Sequence, residues 1–130
     1  MSDRAPLVHA IDHIVLTVRD VEAAVIFYGR VLGAEAVTFA EGRRSLQIGD
    51  QKINLQTLGQ EVRNYAGIGA GDVCLLTRAQ PKDVVARLID EGVEIVEGPV
   101  ERTGARGAMT SVYFTDPDGN LIEIASYAAG

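Results

Sequence analysis

Apolar residues along the chain recur in two rhythms, and the order of those rhythms is written twice. Residues 11–18 read IDHIVLTV, an apolar run with a polar entry that predicts a strand. Residues 21–32 (VEAAVIFYGRVL) carry apolar positions at helical spacing, and Gly33 stands where a helix C-cap is wanted. Residues 34–39 predict a second strand. A hairpin follows, with strands over 45–48 and 52–57 around Gly49-Asp50-Gln51. The second half repeats the series: a strand over 71–77 (GDVCLLT), a helix over 81–90 that opens on Pro81, a closing Gly92, and a strand over 93–96. A loop is expected over 97–108. A last hairpin has strands over 111–115 and 121–127 around Asp116-Pro117-Asp118-Gly119-Asn120.

The repeat keeps register. His13 and Asp72 stand 59 positions apart, and so do Gly33 and Gly92. Asn54 and Glu123 stand 69 apart, the extra ten positions being taken up by the longer second loop and turn. The pattern predicts an α+β fold of two βαβββ modules, about 8–60 and 70–127, in one domain over 8–130 with a linker over 61–69. Neither small sheet would bury both faces alone, so the two are expected to pack as a half-open barrel.

Composition narrows the function. A chain of 130 residues with 47% apolar content can bury a core of its own. The net charge of −6 and the lack of a basic stripe argue against nucleic acid as partner. The pair Arg43-Arg44 reads as a solvated strand end. No apolar run is long enough to span a bilayer, no signal-peptide pattern opens the chain, and a lone cysteine, Cys74, excludes an internal disulfide. A cytoplasmic location without membrane partners is expected.

Polar residues inside apolar strands carry the chemistry. His13 interrupts the first strand, and Glu123 alternates with Ile122 and Ile124 in LIEIA. By itself that alternation describes a sheet with a wet outer face. The repeat puts His13 opposite Asp72 and Asn54 opposite Glu123, two symmetric polar pairs that suggest a site between the modules. Gln56 shares a face with Asn54. Arg102 and Arg106, in a Gly-containing loop, either grip a substrate anion or are solvated. Tyr113 and Met109 are candidates for a pocket wall. His9 reads as exposed tail, Phe27 and Tyr28 as core with the Tyr28 hydroxyl at a rim, and Cys74 as a small buried thiol.

The segments IDHIVLTVRDVEAAVIFYGRVLG and YFTDPDGNLIEI resemble the two ends of the vicinal-oxygen-chelate superfamily, which includes glyoxalase I, methylmalonyl-CoA epimerase, extradiol dioxygenases, fosfomycin-resistance transferases and bleomycin-binding proteins. The resemblance covers about residues 8–127. The stretch GPVERTGARGAMTSVYFTDPDGNLIE is further similar to glyoxalase-domain-containing proteins related to ring-cleavage dioxygenases. The resemblance implies His13, Asp72 and Glu123 as ligands of a divalent metal (Mn, Fe, Mg, Ni or Zn), with Glu123 also catalytic. Asn54, Gln56, Arg102, Arg106 and Tyr113 would then contact the substrate. Two positions depart from the family pattern. Asp72 stands where most metal-dependent members have a second histidine, and Asn54 where glyoxalases have a carboxylate. One imidazole with two carboxylates is an oxygen-rich set that favours Mn²⁺ or Mg²⁺ over a ring-cleaving Fe²⁺ centre. Two functions follow from this resemblance: a metal-dependent lyase, isomerase or dioxygenase acting on a small oxygen-rich molecule, or a metal-free module sequestering a small or antibiotic-like ligand. A homodimer is implied by the resemblance as well.

Overall fold

The computed structural model describes residues 4–128. β1 (His13–Thr17), α1 (Val21–Leu32), β2 (Glu35–Phe39), β3 (Arg43–Ile48) and β4 (Gln51–Gln56) form the first module. β5 (Asp72–Leu76), α2 (Pro81–Asp90), β6 (Glu97–Gly104), β7 (Gly107–Thr115) and β8 (Leu121–Tyr127) form the second. Each module is one four-stranded mixed sheet, ordered β1-β4-β3-β2 and β5-β8-β7-β6, with its first strand parallel to its last. The sheets remain open; they do not close into one barrel.

Local chemistry fixes the helices. The Asp20 carboxylate accepts the Ala23 amide 3.0 Å away and caps α1, whose first free N–H groups would otherwise lack partners. Both helices end at a glycine in the left-handed region, Gly33 and Gly92, each with φ of 70°. Leu16, Leu46, Ile53 and Leu55 of the first sheet and Val112, Phe114, Ile122 and Ile124 of the second turn inward, against Tyr28 and Val31 of α1 and Val84 and Leu88 of α2. One core therefore serves both modules. The alternate residues of every strand face away from it.

The turn after β7 joins the modules. Asp116 Oδ1 accepts the amides of Asp118 and Asn120, which folds the turn on its own side chain. Asn120, fully buried, takes the Gly71 amide on its Oδ1 and donates from Nδ2 to Asp116 and to the Thr17 carbonyl of β1. Tyr28 does not reach a rim. Its hydroxyl is buried and donates to Asp116 Oδ2 at 2.7 Å.

Two expectations about elements are corrected. Residues 93–96 form no strand: the Val93 amide bonds back to the Leu88 carbonyl to close α2, and Val93 and Ile95 pack on the core as an extended link. Residues 97–108 are mostly a β-hairpin, β6 pairing β7 around the two-residue turn Ala105-Arg106. The polar, Gly- and Pro-containing sequence hid that strand, which exists because β7 offers it a ladder of partners. Among the described residues no helix is long and apolar enough to cross a membrane.

Candidate functional site

The pairing registers arrange the outward residues of each sheet in rows across the strands. On the second sheet one row runs Cys74, Glu123, Tyr113, Glu97. On the first, the corresponding row is Val15, Asn54, Ser45, Val37. Cys74 follows Val15 by the same 59 positions that separate Asp72 from His13, so the ladders themselves equate Asn54 with Glu123.

Glu123 is the centre of the second sheet's polar face. Its Oε2 accepts the Ser111 hydroxyl at 2.6 Å. Tyr113 lies directly across on β7, and Arg102 donates from Nε to the Tyr113 hydroxyl at 3.1 Å while its Nη2 pairs with Glu97 at 2.6 Å. Burial raises the Tyr113 pKa above the usual phenol value, Arg102 opposes the rise, and Glu123 adds to it. Tyr113 is thus a hydrogen-bond donor at neutral pH. Cys74 is not a buried thiol: it is exposed on this face beside Glu123, with its pKa pushed up to about 11 by partial desolvation and then by that carboxylate. A thiol so far from ionising is a poor nucleophile. Asp72, one row over, is exposed and makes no hydrogen bond among the described residues.

Arg106 sits at the hairpin tip, its guanidinium 4.4 Å from the Tyr127 ring and its amide donating to the Tyr127 hydroxyl. Tyr127 is four residues along β8 from Glu123, roughly 13 Å at strand rise. Arg102 and Arg106 are therefore not one loop-borne clamp. Arg102 belongs to the Glu123 cluster, and Arg106 to the sheet's end. Met109 is buried opposite Tyr127.

On the first sheet, His13 is exposed, and its Nδ1 lies 2.8 Å from Asp12 Oδ1, which leaves Nε2 open. Asn54 and Gln56 are buried, 5% and 2% exposed. Gln56 exchanges two hydrogen bonds with Asn64 and donates to Thr17. Asn54 Oδ1 and the Ser45 hydroxyl, paired across β3 and β4, are buried and have no hydrogen-bond partner among the described residues. Arg43 and Arg44 are not solvated ends either: Arg43 pairs with Glu61, and Arg44 with Glu22 and Thr38. His9 is exposed.

The structure therefore gathers Asp72 and Glu123 on one face and His13, Asn54 and Gln56 on another. Among the described residues no three His, Cys, Asp or Glu side chains come together as a metal-holding group. Ser45, Ser111 and Asn64 were missed at the sequence level. The two serines could have been found by their alternation with apolar neighbours, but Asn64, in a segment without periodicity, gave no signal.

Two βαβββ units that share a core and bear polar sheet faces define a scaffold of the glyoxalase type. The chain belongs to the Glyoxalase/Bleomycin resistance protein/Dioxygenase superfamily, whose model matches residues 10–124. Virulence protein STM3117 of Salmonella typhimurium is 48% identical over 124 residues, 93% of this chain and 86% of that one. Its crystal structure superposes with a TM-score of 0.87 over 95% of this chain and 100% of that chain. The glyoxalase domain-containing protein RDO1 of Mycosarcoma maydis is 42% identical over 123 residues, covering 92% of this chain and 69% of the other. Metallothiol transferase FosB of Shouchella clausii is 28% identical over 123 residues, covering 91% and 80%. A metallothiol transferase thus stands among the relatives.

Proposed function

We propose that the protein is a divalent-metal-dependent enzyme of the vicinal-oxygen-chelate type, acting on a small oxygen-rich substrate, with its site completed between two copies of the chain. The observation that carries this reading is the Glu123 cluster: a carboxylate set in a sheet face, held on one oxygen by Ser111 and flanked by Tyr113, Arg102 and Asp72. His13 stands on the other module's face, and each sheet turns its polar face from the core that the modules share. A second copy laying its first sheet against this one would bring an imidazole to two carboxylates.

The donors suit such an ion. Asp12 orients His13 on Nδ1 and leaves Nε2 open, Ser111 steadies Glu123 on Oε2, and the Asp72 side chain carries no competing hydrogen bond among the described residues. One imidazole and two carboxylates make a set for Mn²⁺, Fe²⁺, Mg²⁺, Ni²⁺ or Zn²⁺. When bound, the ion would supply Lewis-acid polarisation of two adjacent substrate oxygens. The chain's own contribution is positioning: Tyr113, steadied by Arg102, donates a hydrogen bond toward the Glu123 oxygens or a substrate oxygen there, and Glu123 is the group able to accept a proton.

Metal titration and subunit mixing test this. Wild-type protein is expected to bind one Mn²⁺ or Zn²⁺ per chain, and His13→Ala and Glu123→Gln to lose it. Mixing the two variants in equal amounts should restore about a quarter of the sites, because about half of the randomly formed dimers are mixed and each of these has one of its two sites with every ligand intact. Failure of the wild type to take up Mn²⁺, Fe²⁺ or Zn²⁺ would remove the metal assignment, and uptake without recovery on mixing would place the site within one chain.

A further inference from the structure

We propose that residues 61–66 are a lid, latched by polar contacts across the first sheet, over a hydrogen-bonding subsite of Ser45, Asn54 and Gln56 that receives the hydroxyl groups of a small ligand. This deepens the preceding reading by naming where the substrate's hydroxyls dock. It rests on the small-molecule part of that reading and not on the metal.

The latches follow a single row. Thr17 pairs with Gln56, and Arg43 stands one step past the last paired position of β3 and β4, so the three side chains line up across β1, β4 and β3. The connecting segment crosses that row in order. The Ala66 carbonyl accepts the Thr17 hydroxyl at 3.1 Å, Asn64 exchanges hydrogen bonds of 3.0 and 3.2 Å with Gln56, and Glu61 pairs with Arg43. Apolar burial adds little, because Val62 and Tyr65 are 89% and 98% exposed. A segment without regular structure, held by three polar contacts at half-buried positions, belongs to the low-stability end of a fold.

Next to the latched row lie the two unpaired oxygens. Ser45 and Asn54 face each other across the ladder, 0% and 5% exposed, and neither the hydroxyl nor Oδ1 has a hydrogen-bond partner among the described residues. Buried polar atoms are ordinarily satisfied, and each exception calls for a physical reason. A ligand hydroxyl donating to Asn54 Oδ1 and accepting from Ser45 satisfies both. When Asn64 lifts away, the Gln56 amide is released and adds one donor and one acceptor beside them. His13 stands in the row beyond Asn54, paired with Lys52, so a ligand in this subsite would lie between the lid and the proposed metal ligand.

The test uses metal-free, full-length protein and 4-nitrocatechol, whose two adjacent hydroxyls and visible absorbance make it a direct probe. In the free protein, Asn64→Ala is expected to speed amide hydrogen exchange over residues 61–66 and to raise the association rate of the probe. Ser45→Ala and Asn54→Ala should each weaken probe binding by roughly two- to tenfold, the worth of one hydrogen bond. Exchange over 61–66 in free Ser45→Ala should match the wild type, which separates the subsite from the latch. Three results would each overturn the proposal: no probe binding to wild type or Asn64→Ala, equal affinity in wild type, Ser45→Ala and Asn54→Ala, or lid exchange unchanged by Asn64→Ala. Because no metal is present, none of them bears on uptake through His13 and Glu123.

Discussion

The Tyr28 hydroxyl is the polar end of an otherwise apolar helix face, and it decides how α1 meets the second module. Burial, then the Asp116 hydrogen bond and charge, drive its pKa well above the ordinary phenol value. A group whose folded pKa is raised contributes stability that is complete below its unfolded pKa, about 10, and is lost as pH rises past that value. Tyr28→Phe should cost about 1–2 kcal/mol at pH 7, since Asp116 Oδ2 keeps its Asn120 bond. The variant should also lose less stability than wild type between pH 9 and about 11. Urea denaturation at stepped pH reads both effects, and an identical alkaline slope in the two proteins would refute the role given to the phenol. At this scale the sequence was informative where a residue broke a pattern. Glu123, Asn54 and Gln56 stood out by alternation, whereas the exposure of Cys74 and the partner of Tyr28 depended on strands and turns far away in the chain.

Among the elements, the β6–β7 hairpin carries Arg102 and Tyr113 to Glu123, and its fit depends on Gly98. That residue has φ of +116°, and a Cβ there would lie 2.5 Å from the Ser111 carbonyl oxygen and 2.9 Å from Val112 Cα. Both neighbours are backbone, so they cannot swing aside. Gly98→Ala should destabilise by about 2 kcal/mol or more and displace Ser111, the partner of Glu123. Calorimetry measures the first effect. The second should appear as altered amide shifts at Ser111 and Glu123, and a variant with wild-type melting and shifts would contradict this account. The helices were legible from their spacing and capping residues because those signals are local. β6 was not, because its pairing energy comes from β7 and its own residues suit a loop equally well.

For the whole molecule, the shared core makes the two modules one cooperative unit. Phe114 of the second module is fully buried, with its ring centroid 6.2 Å from that of Phe27 on α1. Phe114→Ala should cost about 3–5 kcal/mol and shift a single unfolding transition rather than split it. Intrinsic and far-ultraviolet signals that separate into two transitions would show modules of independent stability. The sequence by itself determined the repeat, the α+β class and the polar positions on each sheet, because hydrophobic period and capping chemistry are local and the 59-residue offset needs no coordinates. Only the tertiary structure decided where those polar positions go. The apolar faces of both sheets and both helices, not the polar faces, make up the one core, since apolar side chains must leave water together. His13 is thereby parted from Asp72 and Glu123 onto a separate face. Residues 61–66, which have no period at all, acquire a role only through the row of Thr17, Gln56 and Arg43 that the folded sheet sets beneath them.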